Sequence, residues 1–366
     1  MSKENLKFYQ VKDNISVYNF KANGSFSKVK DIAEGSFGKV ILVQKNNKSN
    51  YRDSKYFAIK INKRFRLLSK KKNLNNLQEN KIEEETDKPK ELNFIEIREM
   101  ALMKTFKHEN VLNLIEINFD KPNRETWMLM DYIPTDLAEF FKENAKNPKV
   151  MNETFFKNIS KQILSGVNYL HENRVIHRDL KLENILYDSD HNVVKIGDFG
   201  LSRKFDYEIN NEYTNVGTPA YQPPELILGS AHYSSSFDIW SVGCILVAIC
   251  TGKILFGAQN SLLGDNNSKT EDNNSLGILK LIIKIFGTLN DKNLPGFKTY
   301  PNSGILKNLT ETKGFGLIKY IEDNQLFHFE NGNFYDLIEK MLCIDPLKRI
   351  SAKECLEHPW FNVSNI

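Results

Sequence analysis

The hydrophobic pattern of this chain changes period near residues 133–136. Before that point, "KVKDIAEGSFGKVILVQ", "KYFAIKINK", "VLNLIEINF" and "TWMLMDYI" alternate or run apolar over short lengths, as strands do. One helix interrupts them, at "NFIEIREMALMKTF", where Ile97, Met100, Ala101, Met103 and Phe106 recur at helical spacing. After that point, "TFFKNISKQILSGVNYLHEN" sets Phe155, Phe156, Ile159, Ile163, Val167 and Leu170 on one stripe, and helical spacing dominates from there on. A period of two and a period of 3.6 cannot share one regular layer. The expectation is an α+β chain with a small strand-rich front and a larger helical back. Residues 1–25 read as a polar extension, loosely attached up to about Lys21. Polar insertions are expected at about 63–91 and 259–275, and a short tail at 362–366.

Charge excludes little and composition is ordinary. The 366 residues carry 50 basic and 46 acidic side chains, a net charge of +4. That balance gives no argument for nucleic acid or a membrane surface as a partner. The apolar run from Ile239 to Ile249 is too short to span a bilayer and reads as a buried helix. Cys244, Cys250, Cys343 and Cys355 show no metal-binding spacing. With a polar opening, "MSKENLKFYQ", they point to a reducing intracellular compartment, cytoplasm or nucleus.

Chemistry enters through spacing. In "AEGSFGKV" the glycines lie between two strands rather than before a helix, which suits a hairpin laid over phosphates better than a dinucleotide turn. Lys60 ends the strand "FAIK", and Glu99 on the helix that follows supplies a carboxylate to hold such a lysine. "IHRDLKLENIL" then brings Asp179, Lys181 and Asn184 together, and "KIGDFGL" adds Asp198. This set offers a carboxylate to accept a hydroxyl proton, a cation for a moving phosphoryl group, and hard oxygen ligands for Mg²⁺. "EYTNVGTPAYQPPEL" carries adjacent prolines, which fit neither a helix interior nor a central strand, so it is a shaped loop.

Together these motifs resemble the signature set of the eukaryotic protein kinases, from about Phe26 to Phe361. The resemblance implies the bilobal kinase fold, with an N-lobe over 26–132 and a C-lobe over 133–361. It implies ATP and Mg²⁺ as cofactors and protein Ser/Thr as acceptors. Ala33, Gly35, Ser36 and Gly38 would cover the nucleotide, and Val40, Ala58 and Leu186 would sandwich the adenine. Met130 would stand behind the adenine, Asp131 to Ile133 would read it, and Asp136 would meet the ribose. Lys60 would reach the α- and β-phosphates and pair with Glu99. Asp179 would be the base, Lys181 would steady the γ-phosphate, and Asn184 and Asp198 would hold metal. Glu225 and Arg349 would form a buried pair, and Asp238 would cap the loop at His177 and Arg178. Thr218 would bond Asp179 and Lys181, the Ser/Thr pattern. Thr214, then Tyr213, are candidate phosphorylation sites whose phosphate could pair with Arg178. Ala33 replaces the family's first loop glycine, and a changed nucleotide affinity is expected from the cost of positive φ at alanine.

Within that family, "IEIREM", "DIWSVGCIL" and the stretch 279–297 are similar to the cyclin-dependent kinase-like group. Gln222 departs from it, since that group usually has Arg there, a residue tied to choosing proline after the acceptor. A branch that activates other cyclin-dependent kinases is one alternative. A catalytically idle scaffold is another, from a different class. A cyclin-like partner is compatible with the sequence and not required by it.

Overall fold

The computed structural model describes residues 17–21, 23–35, 38–46, 56–63, 94–120, 125–144, 147, 151–205, 216–230, 234–257, 275–306, 310–326, 329 and 332–362. The two expected insertions, but for Lys63 and Ser275, and Ser36, Tyr213 and Thr214 lie outside them. The chain divides into two compact units, one drawn from Met1–Thr105 and Asn113–Tyr132, the other from Phe106–Leu112 and Ile133–Ile366.

The first unit is a six-stranded antiparallel sheet with one helix. Its elements are β1 (Val17–Phe20), β2 (Gly24–Gly35), β3 (Gly38–Lys45), β4 (Tyr56–Lys63), α1 (Phe94–Met103), β5 (Leu114–Asp120) and β6 (Glu125–Asp131), in the spatial order β1-β2-β3-β4-β6-β5. Alternation decides which residues go inside. Phe57, Ile59 and Ile61 of β4 join Tyr18, Phe20, Phe26, Ile41, Val43 and Leu129 in one apolar cluster. The sheet curls until its edge strands meet, and Asn118 Nδ2 on β5 donates to the Asn19 carbonyl on β1 at 2.6 Å.

Two expectations need correction here. The segment before Lys21 does not hang loosely throughout, because Val17–Phe20 pairs with β2. Tyr18 and Phe20 supply the reason: they are buried on alternate positions, with Tyr18 edge-on to Trp127 at 4.8 Å. On α1, Met100 and Met103 are buried, whereas Ile97 is 42% exposed and Ala101 is also exposed. Ile97 and Ala101 are four apart and share the outer face, so the inward stripe is narrower than the apolar count suggested.

The second unit is mainly helical. It begins with β7 (Thr135–Asp136), α2 (Leu137–Asn144), α3 (Glu153–Glu172), β8 (Val175–Ile176), β9 (Ile185–Asp188), β10 (Val193–Ile196) and β11 (Arg203–Lys204). It continues with α4 (Pro224–Ile227), α5 (Ser236–Thr251), α6 (Ser275–Phe286), α7 (Leu317–Asn324), α8 (Asn333–Met341), α9 (Ala352–Leu356) and α10 (Pro359–Asn362). Asn152 caps α3 by accepting the Phe155 amide at 2.9 Å. The stripe Phe156, Ile159, Ile163, Val167 and Leu170 is fully buried. Helix α5 is buried from Phe237 to Thr251 and ends at left-handed Gly252. Among the described residues no helix is long and apolar enough to cross a membrane.

Short strand pairs set the site. β9 pairs with β10 and with β7, and β11 pairs back onto β8. The loop 177–184, between β8 and β9, and the loop 197–202, between β10 and β11, are therefore tied side by side at both ends.

Candidate active site

In the first unit, Lys60 and Glu99 are brought together. Lys60 Nζ lies 2.5 Å from Glu99 Oε1, with side chains 17% and 5% exposed. Lys60 sits on the face of β4 opposite Ile59 and Ile61, so the packing of one face aims the cation from the other. Ala58 pairs in register with Leu42 and Met130, and Val40 with Lys60. Gly38 has φ +137°, and a Cβ there would stand 2.1 Å from the Ile61 carbonyl, so only glycine fits. Ala33 differs from expectation. It is a strand residue opposite Val40, next to a register shift between Asp31 and Ala33, and lies outside the residues of positive φ, so its methyl carries no left-handed backbone cost.

The second unit gathers Asp179, Lys181, Asn184 and Thr218. Asp179 Oδ1 accepts from the Thr218 amide at 2.9 Å and from Thr218 Oγ1 at 2.7 Å. Its Oδ2 faces Asn184 Nδ2 at 3.2 Å and Lys181 Nζ at 3.3 Å. Lys181 Nζ also donates to Thr218 Oγ1 at 3.2 Å. A carboxylate offers about four acceptor positions, and here four donors face them. Asn184 donates as well to the Asp179 carbonyl at 2.7 Å, which commits its nitrogen and turns its oxygen the other way.

Below this group, Asp238 is wholly buried and holds the loop by its backbone. It accepts from the amides of His177 at 2.8 Å and Arg178 at 2.9 Å, and bonds His171 Nε2 at 2.9 Å. Burial pushes the Asp238 carboxyl up, but His171, His177 and the His177 amide outweigh it, and the net direction is below the usual value. Arg178 keeps φ +68°, a left-handed turn that this capping over-determines. His177 Nε2 bonds the Gly197 carbonyl at 2.9 Å while Nδ1 accepts the Asp179 amide at 3.3 Å, which fixes its tautomer. His177 and Phe106 both lie against Phe199, at 5.1 and 4.8 Å between ring centroids. Asp198 has φ +57° and accepts the Gly200 amide at 3.4 Å. The Gly197 amide before it bonds the Asn184 carbonyl at 2.9 Å, so Asn184 and Asp198 are carried on joined backbone.

Ile133, Asp136 and Leu186 belong to this unit, and Asp136 pairs in register with Leu186. Burial raises the Asp136 carboxyl, against bonds from the Glu139 and Ala138 amides. Arg349 grips Glu225 with two nitrogens, at 2.9 and 3.1 Å, and lies over Trp240 at 5.1 Å.

Sequence reasoning missed His171, whose role emerges only because buried Asp238 needs a further donor. It also missed what Gln222 does. Gln222 is 2% exposed, and its Nε2 donates to the carbonyls of Val216 and Gly217. Among the described residues no three His, Cys, Asp or Glu side chains cluster to hold a metal, and the cysteines are free.

Residues 26–361 match the family described as the protein kinase domain. The chain is a protein kinase. Its curated relatives include the probable cyclin-dependent kinase 8 of Dictyostelium discoideum, 35% identical over 72% of this chain and 68% of that one. Another is the serine/threonine-protein kinase SSN3 of Scheffersomyces stipitis, 32% identical over 90% of this chain and 75% of that one. The shared stretch spans 56% of the cyclin-dependent kinase E-1 of Arabidopsis thaliana and 77% of the cyclin-dependent kinase B2-1 of Oryza sativa subsp. japonica. Among solved structures, the kinase is similar to a chain of the yeast RNA Pol II CTD kinase CTDK-1 complex, with TM-score 0.73 and 25% identity over 96% of this chain and 98% of that one. The kinase is a Ser/Thr enzyme of the cyclin-dependent kinase-like group with the bilobal α+β protein kinase fold.

Proposed function

We propose that this kinase transfers the γ-phosphoryl group of ATP to Ser or Thr of proteins in the transcription machinery, with Asp179 as the base. The observation that carries the chemistry is the convergence of Thr218, Lys181 and Asn184 on the Asp179 carboxylate. Those donors fix one orientation of the group that must meet an acceptor hydroxyl, and fixed geometry is a large part of phosphoryl-transfer catalysis. Lys181 sits where it can balance charge on a moving phosphoryl group. Lys60, aimed by Glu99, is the cation for the α- and β-phosphates.

Asn184 and Asp198 fit Mg²⁺ by their donor chemistry. An amide oxygen turned away from Asp179 and one carboxylate suit an ion that completes its octahedron with phosphate oxygens and water. When bound, the ion would neutralise phosphate charge. Arg178, beside the base, is the partner we assign to a phosphate on Thr214 or Tyr213.

The transcription assignment is supported by the likeness to a chain of the yeast RNA Pol II CTD kinase CTDK-1 complex. It includes a cyclin-type partner. The test is labelled ATP with an RNA polymerase II CTD substrate, with and without a co-expressed cyclin. Label that appears with the wild type and not with Asp179→Asn supports the reading. Label on generic substrates but never on the CTD would remove the transcription assignment and keep the chemistry.

A further inference from the structure

Strand β10 lies at the end of its sheet, with β9 on one side and no full strand on the other. Hydrogen-bonding direction alternates along a strand, so Val194 and Ile196 turn their amides and carbonyls to the same side. Here that side is the outer edge, and all four groups are met. Ile196 donates to the Asn110 carbonyl and accepts the Leu112 amide, both at 2.9 Å, across a single parallel bridge to Val111. Val194 is met by side chains instead. Its carbonyl accepts from Asn110 Nδ2 at 3.0 Å, and its amide donates to Gln162 Oε1 at 2.8 Å. Two side-chain amides take the place of the next residue of a strand.

Gln162, on α3, uses every position its amide offers. Oε1 also accepts from Asn110 Nδ2 at 3.0 Å. Nε2 donates to Asn158 Oδ1 at 2.6 Å and to the Asn192 carbonyl at 3.0 Å. The Val194 amide and the Asn192 carbonyl are backbone groups with fixed roles, so they determine which end of the Gln162 amide is the oxygen. The oxygen faces the strand. Through this one side chain α3 holds β10 at its middle and holds the residue before it, Asn192, in a left-handed turn of φ +52°.

The strand carries Asp198, two residues beyond Ile196. Asp198 takes φ +57°, a conformation that costs free energy in a non-glycine residue and persists only where its surroundings over-determine it. On the inner side the Gly197 amide is tied to the Asn184 carbonyl at 2.9 Å. On the outer side the restraint is the row of bonds at Val194 and Ile196. With the Gln162 oxygen removed, the Val194 amide loses its partner and the outer row loses one of its four bonds.

We propose that Gln162 is a positioning residue for the nucleotide-bound metal, acting through Val194 on the placement of the Asp198 carboxylate. Gln162 itself touches neither strand β9 nor the carboxylate, and its effect is carried by the backbone of β10. This inference rests on the reading of Asn184 and Asp198 as the metal-holding pair.

The experiment titrates Mn²⁺ into the full-length kinase with a non-hydrolysable ATP analogue and reads free ion by electron paramagnetic resonance, with the analogue alone as the blank. Gln162→Met keeps the length of the side chain and removes both polar atoms, and should weaken Mn²⁺ about ten-fold. Gln162→Glu keeps an oxygen for Val194 and Asn110 and loses only the two donors, and should stay within about two-fold of wild type. The half-saturating Mg²⁺ concentration for phosphoryl transfer should follow the same order, with KM for the protein substrate unchanged. A dissociation constant does not depend on how much of a preparation is folded, so a merely structural role would leave it in place and lower only the number of sites. Equal Mn²⁺ affinity in wild type and Gln162→Met, or a loss in Gln162→Glu as large as in Gln162→Met, would overturn the proposal. Asp198→Asn that binds Mn²⁺ as wild type does, or wild type that binds none beyond the blank, would instead overturn the reading of the metal-holding pair, and this inference with it.

Discussion

Thr218 reaches Asp179 twice, and both bonds end on the same oxygen, Oδ1, from the amide at 2.9 Å and the hydroxyl at 2.7 Å. The amide bond survives any substitution that keeps the backbone. The hydroxyl bond, and its link to Lys181 Nζ at 3.2 Å, does not. Thr218→Val should therefore lower kcat by about 10-fold or more with little change in KM for ATP, while Thr218→Ser stays close to wild type. Steady-state kinetics on one protein substrate decides it. A Val variant with wild-type kcat would show that the hydroxyl plays no part.

The Lys60–Glu99 pair predicts a different signature. Both side chains are mostly withdrawn from water, at 17% and 5% exposure, so the partner fixes where the cation points. Glu99→Gln keeps a hydrogen-bonding oxygen but loses the charge, and should cost about 10-fold in kcat/KM for ATP. Lys60→Met should cost more. Equal kinetics for Glu99→Gln and wild type would mean that the ion pair does not serve nucleotide handling.

Much of this arrangement is legible in the sequence, because its parts are local. Asp179, Lys181 and Asn184 lie within a few residues of one another, and strand alternation alone separates Lys60 from Ile59 and Ile61. Ala33 was misread for a reason of the same kind. A loop glycine suggests positive φ, but β2 carries on past a register shift between Asp31 and Ala33 without positive φ at Ala33. What the sequence hides is long-range donor supply. Nothing near Asp238 says that His171 will bond it across 67 residues, and nothing near Gln222 says that its amide will turn back on Val216 and Gly217. β1 was hidden as well, because four residues are too few to establish a period without their partner strand.

Asn62 is a local conflict within the β-rich unit. It is 2% exposed, and neither its Oδ1 nor its Nδ2 has a hydrogen-bond partner among the described residues. An unsatisfied buried amide is costly, and an apolar side chain of similar size removes the cost. Asn62→Val should raise stability by about 1 kcal/mol, read as a shift of the denaturation midpoint at constant m-value. A lower midpoint would mean that the amide finds partners in solution.

The buried pair Glu225–Arg349 is expected to be strongly coupled. The guanidinium also donates to the carbonyls of Cys343 and Ser236, so it ties α4, α5 and the loop before α9 at one point. Removing either partner leaves a buried charge, and Glu225→Ala or Arg349→Ala should each cost about 3–5 kcal/mol. The double variant should cost less than the sum, and a double-mutant cycle measures the difference. Additive losses would show that the two side chains do not stabilise each other.

Asp238 gives the pH dependence its sign. Its folded-state carboxyl lies below the ordinary value of 3.8, and in the unfolded chain it returns to about that value. The unfolded state then binds more protons as the medium acidifies. The stability that Asp238 supplies is complete above about pH 5 and is lost progressively as pH falls through 3.8 toward the folded-state value. Asp238→Asn replaces an oxygen that accepts from His171 and the His177 amide, or the one that accepts from the Arg178 amide, with a donor. It should cost about 3 kcal/mol near neutral pH. Urea unfolding of both proteins at a series of pH values would show the gap between them narrowing only below about pH 5, because above it the carboxylate is ionised in both states. A gap that stayed constant down to pH 3, or that narrowed on the alkaline side, would mean that the loop at His177 and Arg178 is held by something other than this charge.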